Sequence, residues 1–147
     1  MGKPASRLLS GARVGELTQL HGVTLGKLVK EGFLRRDENR RYTGVELICA
    51  RALAALGTRA SKAEADRDRR AVETIRRALE DGKITATTDL VVAQDQDFMT
   101  LTHTQGQRLD ATFHLRDYMV LGVGAWLTEY QQREPQAFEV NALIAAA

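Results

Sequence analysis

Apolar residues recur every three or four positions through the first third of the chain, and that spacing predicts short helices. Val14, Leu17 and Leu20 share one face of a segment from Val14 to His21, which Gly22 breaks. Thr24 is placed to cap a second helix. Its buried side is Leu25, Leu28 and Val29, with Lys27 and Lys30 as neighbours on the other side. Gly32 supplies a left-handed stop. The helical period is then lost: Phe33 to Tyr42 reads as a β-hairpin around Asp37, Glu38 and Asn39. Thr43 and Glu46 form a capping box that opens a helix to about Leu56. Its apolar stripe is Val45, Ile48, Cys49, Ala52, Leu53 and Leu56.

A second capping box, Ser61 with Glu64, opens a helix to about Asp81. Only Val72, Ile75 and Leu79 give it an apolar face, so the charged first half, Glu64 to Arg70, reads as solvated. Arg67, Arg69, Arg70, Arg76 and Arg77 alternate there with Glu64, Asp66, Asp68, Glu73 and Glu80, a self-neutralising pattern. Strands are expected over Ile84 to Val92, Phe98 to Thr104 and Arg108 to Phe113. A helix from about Leu115 to Tyr130, carrying Met119, Val120, Val123, Trp126, Leu127 and Tyr130, would lie over them until Pro135 stops it. Residues 136–147 end in an apolar run that reads as a docked helix or a frayed tail. The expected class is α+β: an N-terminal winged helix-turn-helix over residues 1–58, then residues 59–147 as a helix and a small antiparallel sheet covered by a C-terminal helix.

Charge distribution sharpens that division. Residues 1–56 hold ten Lys and Arg against five Asp and Glu, net +5, whereas the remaining residues hold eleven against fourteen, net −3. A basic front on a mildly acidic back suits a polyanionic partner for residues 1–56. The apolar run from Met119 to Leu127 is far below the roughly 20 residues of a membrane span. No apolar core of signal-peptide length follows the basic start, and the single cysteine, Cys49, has no disulfide partner. A cytoplasmic protein without a membrane association is expected.

Other chemistry finds little support. His21, His103 and His114 lack metal-site spacing, and Asp95 and Asp97 sit in a polar turn without a partner base. Gly122 and Gly124 flank Val123 between apolar residues, which suits close helix packing rather than a phosphate loop. No serine or cysteine is paired with a recognisable base. The expectation is a protein that is not an enzyme, with no cofactor and no metal.

Two short helices, a tight turn, a basic hairpin and a capped helix together describe a winged helix-turn-helix. A helix fits the major groove of B-DNA, and a wing can set arginines on a phosphate ridge. The four arginines at 35, 36, 40 and 41 would repel one another without an anionic partner. The segments Val14 to Leu17, Gly22 to Thr24, Gly32 to Leu34 and Arg35 to Thr43 resemble the MerR-type winged-helix DNA-binding domain. The stretch Thr24 to Leu34 is also similar to the second helix of phage excisionases. The resemblance covers about residues 12–56. It implies that Thr24, Lys27 and Lys30 face the groove and that Arg35, Arg40, Arg41 and Tyr42 meet phosphate. With Arg36 and Asn39 these form the candidate DNA-binding set. Three differences stand beside it: a shorter turn between the helices, Gly26 where a larger side chain is usual, and no long dimerising helix.

The expected function is sequence-specific binding of double-stranded DNA by a bacterial or phage transcriptional repressor or regulator. One such module reads few base pairs, so a homodimer through residues 60–147 is expected. Two alternatives use the same residues. One is an architectural factor, an excisionase-like recombination accessory or a packaging subunit. The other is an antitoxin or anti-repressor whose residues 59–147 hold a protein partner.

Overall fold

Ser10 accepts a hydrogen bond from the Arg13 N–H at 3.1 Å and so starts the first helix, α1 (Gly11–Thr18), three residues before the position expected from apolar spacing. The computed structural model describes residues 8–57, 59 and 61–138. Gln19, at φ 67°, supplies the left-handed stop that Gly22 was expected to give. Gly22 instead begins α2 (Gly22–Lys30), whose N-cap position is His21 with no side-chain cap bond. Thr24 therefore lies inside the first turn of α2 and is not its cap. Gly32, at φ 86°, follows the helix as expected.

The expected hairpin over 33–42 is not formed. The Phe33 and Leu34 N–H groups both donate to the Leu28 carbonyl, at 2.9 and 3.3 Å, and the Arg35 N–H donates to Glu46 Oε1 at 2.7 Å. With the N–H groups of Phe33, Leu34 and Arg35 consumed there, the first arm cannot pair along its length, and only the Asp37 N–H reaches across the turn, to the Arg41 carbonyl at 3.0 Å. The second arm, Arg41–Tyr42, pairs instead as β2 with the N-terminal strand β1 (Leu9–Ser10), antiparallel, Leu9 opposite Tyr42. Both capping boxes open helices where expected. Thr43 and Ser61 accept from the N–H of Glu46 and Glu64, starting α3 (Gly44–Leu56) and α4 (Lys62–Glu80). In the first, the Glu46 carboxylate does not return to the cap.

Residues after α4 are rearranged relative to expectation. Thr85 to Thr88 form a hydrogen-bonded turn, and the strand β3 is Asp89–Ala93. The next strand, β4 (Met99–Thr102), falls inside the expected range. Residues 108–113 are not a strand, because Thr104 caps a helix, α5 (Gln105–Thr112), by accepting from the Gln107 N–H. The third strand comes from the segment expected to be helix: β5 (Tyr118–Leu121) precedes α6 (Val123–Arg133), and a short 3-10 turn spans Pro135–Ala137. The sheet is antiparallel in the order β4-β3-β5, with Leu90 opposite both Leu101 and Leu121. Residues 139–147 of the apolar tail lie outside the described residues.

The described residues thus form six α-helices and two small antiparallel sheets, an α+β architecture. Their buried apolar side chains make one cluster, running from Leu9, Val14 and Leu25 through Leu47, Ile48 and Ile75 to Leu90, Leu121 and Leu127. The cluster crosses residue 58, so residues 8–57 and 61–138 share a core. Close approaches account for two glycines. A Cβ on Gly124 would fall 2.7 Å from the Ala86 carbonyl oxygen, and one on Gly44 would fall 2.5 Å from the Phe138 ring. No helix among the described residues is long and apolar enough to cross a membrane.

Candidate nucleic-acid interface

The side chains of Lys27 and Lys30 are exposed on α2, opposite the buried Leu25 and Leu28, because residues three and four apart share a helix face. Thr24 is half-buried on the first turn, and Val23 beside it is an exposed large apolar residue. Neither lysine has an ion-pair partner among the described residues. The helix is held by its other face, which packs on α1.

From the end of α2 the chain passes through two buried anchors, Phe33 and Leu34, and emerges at Arg35. That emergence is braced from beneath by a buried ion pair. Arg76 of α4 donates from Nε to Glu46 Oε2 at 2.7 Å and from Nη2 to Glu46 Oε1 at 2.8 Å. The same Nη2 reaches the Phe33 carbonyl at 3.1 Å, and Nη1 reaches Glu73 at 2.9 Å. The bond to Glu46 raises the Arg76 pKa, so the guanidinium is charged throughout. Glu46 is thus a junction: one carboxylate orients a buried arginine and fixes the Arg35 backbone.

Beyond the brace, Asp37 shapes an exposed turn. Its Oδ1 accepts from the N–H groups of Asn39 and Arg41, both at 2.8 Å, while Arg40 N–H donates to the Asp37 carbonyl at 3.0 Å. Arg40 takes up the left-handed conformation, φ 61°, that this turn requires. Asp37 bonds to backbone here and, among the described residues, to no arginine side chain. Arg40 and Arg41 are exposed with no side-chain partner among the described residues. Arg36 is half-buried with Nη1 3.5 Å from the Tyr42 hydroxyl, and Arg35 approaches Glu73 only at 3.8 Å. Asn39 is exposed on the same turn.

Tyr42 departs from this set. It is 1% exposed, its ring belongs to the core, and only its hydroxyl meets a basic side chain. The reason is strand pairing: β2 turns Tyr42 inward opposite Leu9, while its neighbour Arg41 points outward.

The charged half of α4 corrects a second expectation. Asp68, expected on a solvated face, is 1% exposed and pairs with Arg59 and Arg67 at 3.3 and 3.0 Å. Arg67 also donates to Gln94 at 2.6 Å, Arg70 pairs with Asp97, and Arg69 donates to the Glu31 carbonyl at 3.1 Å while stacking 4.4 Å over the Phe33 ring. Among the described residues Asp66–Arg69, Arg67–Asp68 and Glu73–Arg76 pair within the helix. This half of α4 is therefore a polar strut that ties α2 and the β3–β4 connection to α4.

Cys49 is fully buried, and burial pushes its thiol well above the ordinary value, so it stays protonated. His103 Nδ1 lies 2.8 Å from Thr88 Oγ1, which is itself buried and bonded into the Thr85–Thr88 turn. No group of three or more His, Cys, Asp or Glu among the described residues could hold a metal ion. Sequence reasoning missed the Glu46–Arg76 pair, since its capping box assigned the Glu46 carboxylate to a local role. It also missed Val23, whose position one turn before Lys27 puts it on the exposed face. No family model matches this sequence, and neither the curated proteins nor the solved structures compared with it yield a match.

Proposed function

We propose that this protein binds double-stranded DNA sequence-specifically and acts as a transcriptional repressor or regulator in a bacterial or phage cytoplasm. In this reading residues 8–57 are a winged helix-turn-helix. The α2 helix enters the major groove with Thr24, Lys27 and Lys30, and the turn 37–41 is the wing. The observation that carries the reading is two basic features on one shared core, each without an ion-pair partner among the described residues: Lys27 and Lys30 on α2, and Arg40 and Arg41 on the Asp37 turn. Arg35 and Arg36 lie between them in sequence and extend the positive surface. Phosphate contacts by these side chains would place the helix, and contacts from α2 to base edges would supply sequence preference. Two copies on a repeated or inverted site would supply the selectivity that one nine-residue helix lacks.

The test is capture of sheared genomic DNA by the purified full chain at about 150 mM salt with excess nonspecific competitor. Retention of a few loci sharing a repeated motif is the expected result, and their positions relative to promoters or attachment sites separate a regulator from a recombination factor. Uniform, salt-labile retention would reduce the reading to backbone binding. No retention would overturn it.

A further inference from the structure

We infer that the outer edge of β5, with the exposed face of α5 beside it, is the surface on which a second copy of this chain docks. Alternation in β3, β4 and β5 sorts their residues onto two faces. Leu90, Val92, Met99, Leu101, Met119 and Leu121 line the face turned to the main core. Val91 and Ala93 point to the opposite face and are still fully buried, and α5 lies against β3 and β4. The helix meets β5 less than it meets those two strands. Val120 and Tyr118, opposite Val91 and Ala93, are left beside it 38% and 41% exposed.

Leu109 of α5 and Phe113, the residue that follows its last turn, are 57% and 81% exposed. A full aromatic side chain carries about 200 Å² and an aliphatic one somewhat less, so these four residues present on the order of 400 Å² of apolar surface. Two copies face to face would then bury about 800 Å² of apolar area. Protein interfaces are roughly 60% apolar, which implies a total near 1,300 Å², inside the range of specific, stable complexes.

The strand edge favours a second copy as occupant. Among the described residues the sheet order leaves one side of β5 without a strand, and an antiparallel strand can pair with its own image about a two-fold axis. Such pairing would join two three-stranded sheets into one of six and cover the apolar edge, which would otherwise promote aggregation. The charges nearest in sequence, Asp110, Arg116 and Asp117, are of mixed sign and favour neither a polyanion nor a strongly basic partner. The inference deepens the two-copy part of the proposed function, although its own support lies in β5 and α5.

Sedimentation equilibrium of the full chain without DNA tests it. A dimer is expected at micromolar concentration, and Val120→Lys should weaken it by roughly tenfold or more. Val120 is partly exposed, so the variant should keep the wild-type circular dichroism. Mixing Val120→Lys with Val120→Glu should restore dimers, because opposite charges then meet across the axis. Phe98→Ser, before the other edge strand, should leave the dimer unchanged. A wild-type monomer at high micromolar concentration would overturn the inference, as would a dimer indifferent to Val120→Lys or a failure of the charge-swapped pair to associate. These readouts contain no DNA, so the interface can fail while the capture experiment succeeds, and the reverse.

Discussion

Two segments of this chain each hold four arginines and two carboxylates, in opposite surroundings. Between residues 35 and 41, four arginines line a turn; among the described residues Arg40 and Arg41 have no side-chain partner, and Arg36 has only a long contact to a tyrosine hydroxyl. Between residues 67 and 76, four arginines on α4 are each tied to another element: Arg67 to Gln94, Arg69 to the Glu31 carbonyl, Arg70 to Asp97 and Arg76 to Glu46. Nearby acidic residues do not explain the contrast, since the turn contains Asp37 and Glu38. What differs is where the carboxylates are spent. Asp37 serves backbone N–H groups, whereas Glu46, Asp68 and Asp97 serve guanidinium groups. One segment is tied into the fold by its side chains and the other is a field open to an external anion.

The largest expected effect tests the tethered segment. Arg76→Ala strands the buried Glu46 carboxylate and should cost about 3–5 kcal/mol in urea denaturation. Replacing both partners, Glu46→Leu with Arg76→Met, should cost clearly less than the single change. If Arg76→Ala proved as mild as a surface substitution, the contrast between the two segments would fail.

The complementary test is Arg40→Ala with Arg41→Ala. Stability should stay within about 0.5 kcal/mol. DNA affinity should fall on all sequences alike, and the slope of log affinity against log salt should shrink by about 1.8, from roughly 0.9 per lost phosphate contact. Anisotropy titrations at several salt concentrations measure both quantities.

A smaller change sharpens the role of Asp37. Asp37→Ala removes two hydrogen bonds to backbone and should cost about 1–2 kcal/mol, read from the denaturation midpoint. Although it makes the turn more positive, it should weaken DNA binding, because the arginines lose their fixed presentation. Stronger binding would mean that net charge alone matters there.

The smallest effect concerns Arg13, a basic residue of the front half that is neutralised from the far end of the chain by Glu134. Burial pushes the Glu134 carboxyl up, but hydrogen bonds from Arg13 and Gln136, with the charges of Arg13 and Arg133, outweigh it and hold the pKa below 4.5. A lowered carboxylate contributes stability that is present above its unfolded value and lost as pH falls through the folded one. Glu134→Gln should therefore flatten the pH dependence of stability on the acid side, below about pH 4.5, and leave the neutral range with little pH dependence from this group. Arg13→Ala should leave DNA affinity nearly unchanged, since that guanidinium is already occupied.

Much of the basic surface was legible in the sequence, because Lys27, Lys30, Arg40 and Arg41 sit where helix period and turn residues place them outside. Tyr42 was misplaced for a definable reason: its side depends on pairing with Leu9, which is 33 positions away in sequence. The strand at Tyr118–Leu121 was hidden because a short apolar run fits a buried helix or a strand equally well. By contrast, the helix at Gln105–Thr112 carried a readable signal, Thr104 followed three residues later by Gln107.

The sequence by itself determined the features settled within a turn or two of chain. Thr43 and Ser61 start α3 and α4, Gly32 follows the end of α2, and the apolar face of α2 is the one its spacing requires, whereas α3 also buries Leu47 and Ala50 outside its expected stripe. Those choices depend on donors and acceptors three or four residues apart. Tertiary structure alone decided which strand Arg41 and Tyr42 join, whether residues 108–121 become helix or strand, and which arginines lose their freedom. Each of those outcomes depends on a distant group: Glu46 for Arg76, 30 positions away, Gln94 for Arg67, 27 away, and Glu134 for Arg13, 121 away. Local pattern cannot encode a partner that only folding brings within hydrogen-bond distance.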